Sequence, residues 1–192
     1  MPFPYPRLLV STLMLASVTA CGGAVATPAA EVQAAMDKFA GARSYQATMS
    51  HDGPARATNT GYYVAPDRFR LEQQGTTQVA IGDTLHVTVR GETKQLPAPP
   101  GLLAKWRDPA NLRQQPATLE VESLGAEAVD GKPATKYLVE HGEPRPARSL
   151  VWVGADGWPL QLQVSGMSNG QSITTTIRYS RYDDPDIRID AP

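Results

Sequence analysis

The sequence is short of the things most protein chemistry is built from. It holds one cysteine in 192 residues, so no disulfide can form within the chain and no cysteine-based zinc site can be assembled. Aromatics are sparse, at 3 Phe, 3 Trp and 7 Tyr. No sign of charge dominates either: 18 basic residues against 19 acidic give a formal charge of -1. Without a basic face nothing general neutralises a phosphate backbone, which argues against nucleic acid as a partner. Phosphate-binding loops, dinucleotide turns, zincin helices, nucleophile elbows and EF-hand loops are all missing. His51, His86 and His141 lie far apart, on the polar parity of strands or beside turns, and read as surface residues. Asp183, Asp184 and Asp186 are interrupted by Pro185 and lack the ligand spacing of a calcium loop, so they read as a solvated turn. The expectation is no catalytic residue, no cofactor and no metal. What the chain does have is 16 Gly and 17 Pro, the punctuation of many short elements in one domain.

The N-terminus explains the lone cysteine. Arg7 precedes an apolar stretch from Leu8 to Ala20, too short to span a bilayer and of the right length for the core of a secretory signal. It ends Leu15-Ala16-Ser17-Val18-Thr19-Ala20-Cys21, which resembles a bacterial lipobox. The resemblance implies that the Cys21 thiol receives a diacylglycerol and that the chain is cut between Ala20 and Cys21. An ordinary signal cut near Ala26 is the alternative. Residues 1–20 are thus expected to be a cleaved signal peptide, 21–30 a lipidated tether and 31–192 the folded domain. Loss of the leader leaves 172 residues and, with Arg7 gone, a side-chain charge of -2. Acyl chains on one residue make a membrane anchor, at about 0.8 kcal/mol per buried methylene. Gly22 after the cysteine is compatible, by resemblance, with transfer to the outer membrane.

The mature part changes period once. Thr27 can cap a helix, Pro28 suits its first position, and Val32, Ala35, Met36, Phe39 and Ala40 recur at three and four, with Gly41 as a stop. After that the period is two. Tyr45, Ala47 and Met49 alternate with polar residues, as do Phe69 and Leu71 with Arg68, Arg70 and Glu72, and Leu85, Val87 and Val89 with His86 and Thr88. Further strands follow at Tyr137 and Val139, at Leu150 and Trp152, at Leu160, Leu162 and Val164, and at Ile173, Thr175, Ile177 and Tyr179. Turns at Gly82-Asp83, Asp130-Gly131, Gly154-Ala155-Asp156-Gly157 and Ser168-Asn169-Gly170 separate them. The pattern predicts an α+β domain that is mainly antiparallel β, a meander covered by the N-terminal helix and by a segment from Pro97 to Pro116 with one or two short helices.

A sheet with one apolar face must cover that face. The helix and the cover segment are small for eight or more strands, so a strongly curled sheet would enclose space for a ligand. Filling by core side chains is the other reading.

The order of lipobox, helix, Tyr62-Tyr63-Val64-Ala65-Pro66-Asp67-Arg68-Phe69-Arg70-Leu71-Glu72 and Gln78-Val79-Ala80-Ile81-Gly82-Asp83-Thr84-Leu85 resembles the lipoprotein-carrier superfamily of the Lol system. So does Trp152-Val153-Gly154-Ala155-Asp156-Gly157-Trp158-Pro159-Leu160. The ending from Tyr179 to Pro192 is especially similar to mycobacterial lipid-binding lipoproteins of the same fold. The resemblance implies a curled, unclosed half-barrel, lidded by short helices, whose concave apolar face holds acyl chains of a lipid or lipoprotein. By alternation and placement, Phe69, Leu71, Leu85, Val87, Trp106, Trp152, Leu162 and Ile177 are the candidates for that cavity. The expected protein is an extracytoplasmic, membrane-anchored binder of hydrophobic ligands, not an enzyme, with lipid or lipoprotein transfer as its possible service. The alternative is a sensor or adaptor that uses the same fold to bind an envelope protein.

Overall fold

The computed structural model describes residues 26–52, 57–108, 112, 119–141, 147–168 and 171–192. The leader, Cys21, most of the tether, the turn at Asn169-Gly170 and most of the cover segment beyond Asp108 lie outside the described residues.

Helix α1 (Pro28–Ala40) starts where its sequence dictates. The Thr27 hydroxyl accepts the Ala30 amide at 3.2 Å, and Pro28 sits in the first turn, where its missing N–H costs nothing. Glu31 in the first turn and Lys38 in the last complement the helix dipole. Val32, Ala35, Met36 and Phe39 form the buried stripe. The expected tether over 21–30 is therefore too long at its far end: residues 28–30 are helix, because the cap and the proline nucleate there.

Strands β1 (Ser44–Asp52), β2 (Ala57–Val64), β3 (Arg68–Gln73), β4 (Thr76–Ile81), β5 (Thr84–Val89) and β6 (Glu92–Pro97) form a first meander. A short helix α2 (Leu102–Arg107) leads on to β7 (Glu120–Val129), β8 (Lys132–His141), β9 (Ala147–Gly154), β10 (Pro159–Ser168) and β11 (Gln171–Ser180). Among the described residues, eleven strands lie in one antiparallel sheet, ordered β6-β5-β4-β3-β2-β1-β11-β10-β9-β8-β7. Two meanders are thus joined where β1 pairs with β11, and β6 and β7 are the edges of the sheet among the described residues. The sheet is an unclosed half-barrel. Between β7 and β8 the chain reverses on Asp130 and Gly131 at φ +49° and +78°, the mirror-image turn that suits the twist of a hairpin and that glycine adopts freely.

Cross-strand register sorts the two faces. Tyr45 pairs with Tyr63, Tyr63 with Phe69, Phe69 with Ala80 and Ala80 with Leu85. Met49 pairs with Ile177, Ile177 with Leu162, Leu162 with Val151 and Val151 with Tyr137. These rows form the concave side, and α1 lies on it with Val32, Met36 and Phe39 in the core. Phe39, Tyr45, Tyr179 and Tyr182 pack as one aromatic group, with Phe39 centroids 4.8 Å from Tyr45 and 4.9 Å from Tyr179. From α2, the Trp106 ring lies 4.6 Å from Phe69. Arg107 donates to the Ala40 carbonyl at 2.7 Å and stands 4.4 Å over the Tyr63 ring, tying the short helix to the end of α1.

The chain after β11 folds back over one end of the sheet. Ile187 and Ile189 are buried there, and Arg68 donates to the Ile189 carbonyl at 2.7 Å. The three aspartates of this segment work as turn residues. Asp183 accepts the Arg43 amide at 2.7 Å, while Asp184 takes the Asp186 amide at 2.9 Å and the Arg181 guanidinium at 2.7 Å. The Asp186 amide, then Arg181, hold the Asp184 carboxyl below the usual carboxylate range.

Candidate hydrophobic groove

An open groove of about 540 Å³ runs between α1 and the strands β7, β8 and β9. Its helix wall carries Ala34 and Ala35, and its sheet wall carries Ala126, Thr135, Val153 and Ala155. Side chains this small let the helix lie along the strands without filling the space between. The volume falls within the roughly 300–1,000 Å³ range of small-molecule sites.

Polar groups sit at the two ends. At one, the buried Tyr137 phenol donates to the Glu31 carboxylate. Burial, reinforced by the hydrogen bond to Glu31, pushes the Tyr137 phenol up to about 12, so it is neutral at physiological pH. At the other end, Lys38 Nζ donates to the Asp156 carbonyl at 2.5 Å and lies 4.5 Å over the Trp158 ring. Trp158 in turn stacks on Tyr182 at 4.2 Å and 9°. Trp158 is half-buried and packs against the main core. Chemically, a trough with apolar walls and polar ends favours an elongated ligand that leaves water along its length.

The eight candidates read from alternation are distributed differently. Phe69, Leu162 and Ile177 are core residues, and Leu71 and Trp106 pack against that core. Leu85 is buried opposite Ala80, and Val87 is half-buried between Gln78 and Lys94. The structure brings Phe69 onto Trp106 and pairs Leu162 with Ile177. Leu162 also borders a void of about 10 Å³ beside Phe39 and Tyr179, room for one water at most. None of the eight lines the open groove.

Trp152 must be moved to the other side of the sheet. It pairs with Lys136 and Gln161, so it is out of phase with Val151 and Val153, and it packs with Val129, Ala134 and Leu160 in a separate small cluster. The Lys136 ammonium covers its ring at 4.8 Å. Leu160 departs in the same way from the expected Leu160, Leu162, Val164 face, because the register shifts between Pro159 and Gln161.

The groove residues escaped the sequence reading because alanine and glycine carry little periodic signal. The readable trace is the small residues of Pro133-Ala134 and Gly154-Ala155, of which Ala134 and Gly154 pair across β8 and β9.

No known family model matches the chain, and no curated protein matches it. Among solved structures, the Mycobacterium tuberculosis lipoprotein LppX superposes with a TM-score of 0.61 at 15% identity, over 84% of this chain and 97% of that one. LprF from Mycobacterium bovis superposes with a TM-score of 0.63 at 10% identity, over 86% of this chain and 96% of that one. At such identities the likeness is one of architecture: this chain has the fold of the mycobacterial proteins LppX and LprF.

Proposed function

We propose that this protein is an extracytoplasmic lipoprotein, held at the membrane by acyl chains on Cys21, that binds hydrophobic ligands on the concave side of its half-barrel. The ligand is an acyl chain of a lipid or lipoprotein, and transfer between membranes or carriers is the service such binding supports. Gly22 agrees with placement in the outer membrane facing the periplasm. The observation that carries the reading is the open, apolar-walled groove beside α1. Its support is the shared fold with LppX, itself a lipoprotein, together with the leader that ends at Ala20-Cys21.

The test is native mass spectrometry of protein extracted gently from membranes, with a fluorescent fatty-acid analogue as the added probe. Bound lipid in the wild type is expected. Ala34→Trp and Ala126→Trp place a large side chain at exposed groove positions and should weaken probe binding with little change in thermal midpoint. Empty protein that also ignores the probe would end this reading. One stoichiometric protein partner, recovered without lipid, would replace it with the adaptor role.

A further inference from the structure

We propose that the groove selects single-chain amphiphiles with an anionic head, and that Lys38 is the residue that reads the head. The inference rests on the lipid-binding reading above and deepens it.

Lys38 stands on the exposed face of α1 at the end of the groove formed by the Gly154–Gly157 turn. Its ammonium is held in place: one hydrogen bond goes to the Asp156 carbonyl, and the Trp158 face lies beneath it, itself stacked on Tyr182. Among the described residues, no carboxylate forms an ion pair with it. The Asp156 carboxylate is turned to its own loop, where it accepts the Trp158 amide. An ammonium has three donors, and the one bond to a carbonyl leaves two. A positioned cation without a counter-charge, at the mouth of an apolar trough, is an acceptor site for a carboxylate or phosphate.

The opposite end sets the direction. Glu31 lies seven residues earlier on the same helix face, about 10 Å away at 1.5 Å per residue. Its carboxylate repels an anionic head there. Only one orientation then satisfies both ends: the head on Lys38 and the chain along the alanine walls.

The experiment compares three probes with one eight-carbon chain, which matches that span, namely octanoate, its methyl ester and octyl phosphate, on the wild type, Lys38→Met and Lys38→Arg. Methionine keeps helix propensity and side-chain length without charge. The wild type should bind the acid and the phosphate more tightly than the ester, by about tenfold for a charge-assisted contact. Lys38→Met should erase that ratio while ester affinity holds, and Lys38→Arg should keep it. An unchanged ratio in Lys38→Met, or equal affinity for acid and ester in the wild type, overturns the assignment of Lys38 while leaving lipid binding intact. Failure of all three probes on the wild type removes both readings at once. A preference for only one of the two anions tells a fatty acid from a phosphate-headed lipid as the source.

Discussion

The Tyr137 phenol donates a hydrogen bond to the Glu31 carboxylate, and this contact pins the first turn of α1 to the middle of β8. Burial with the carboxylate partner raises the phenol from its ordinary 10.0 to about 12. Its contribution to folding is therefore complete below pH 10.0 and is lost as pH climbs toward about 12. Tyr45, Tyr179 and Tyr182 are displaced upward as well, chiefly by burial, and act in the same direction. The thermal midpoint should be flat across neutral pH and fall steeply above pH 10.0, as tyrosinate absorbance rises. Tyr137→Phe should cost about 1 kcal/mol at neutral pH, read by denaturant unfolding. A variant as stable as the wild type would show that the pin carries no energy.

Gly61 lies in the middle of β2, between Ala47 and Leu71, and a Cβ there would stand 3.0 Å from the Phe69 ring. Valine suits a strand on intrinsic preference, yet here it must displace Phe69 from Trp106. Gly61→Val is expected to destabilise the fold by about 1–3 kcal/mol through overpacking. Equal or greater stability in urea titration would mean that the ring moves aside without cost.

Ile177 is 2% exposed and sits in the core, next to Met49 and Leu162 across the sheet. Had it faced an open cavity, Ile177→Glu would have reduced ligand loading while sparing the fold. Given its burial, the variant should instead unfold, since an isolated carboxylate in this position costs well above about 4 kcal/mol. Circular dichroism separates the outcomes. A folded Ile177→Glu with reduced lipid loading would move the binding surface back to β11.

Cys21→Ser removes the thiol to which the acyl chains are attached in the proposed anchor. The variant should leave the membrane fraction and keep its fold. Full retention in the membrane fraction would remove the lipoprotein assignment.

Much of the architecture was legible because it rests on strong local rules. Thr27, Pro28 and the stripe from Val32 to Phe39 specify α1 down to its ends, and strict alternation specifies β1, β3, β5 and β11. The two edge strands escaped for a physical reason. In β6 every residue is exposed, and β7 is almost as open, so neither carries an apolar face to set a period. The side on which Trp152 lies is not legible in the sequence, because Leu150, Val151, Trp152 and Val153 are apolar on both parities. The outer side of β9 has its own small cluster, and size alone does not say which side is which. The groove itself is a product of distance between α1 and the sheet, fixed by contacts far apart in the chain.

The seam between β1 and β11 bears on how the protein is made. Ala47 waits for Tyr179 and Met49 for Ile177, partners that leave the ribosome long after β1 has done so. Until then the first meander has an open backbone ladder beside its own most apolar row, the condition in which strands pair with the wrong neighbour. Closure of that one long-range seam is the step that ends this exposure, and it waits for the last strand of the sheet.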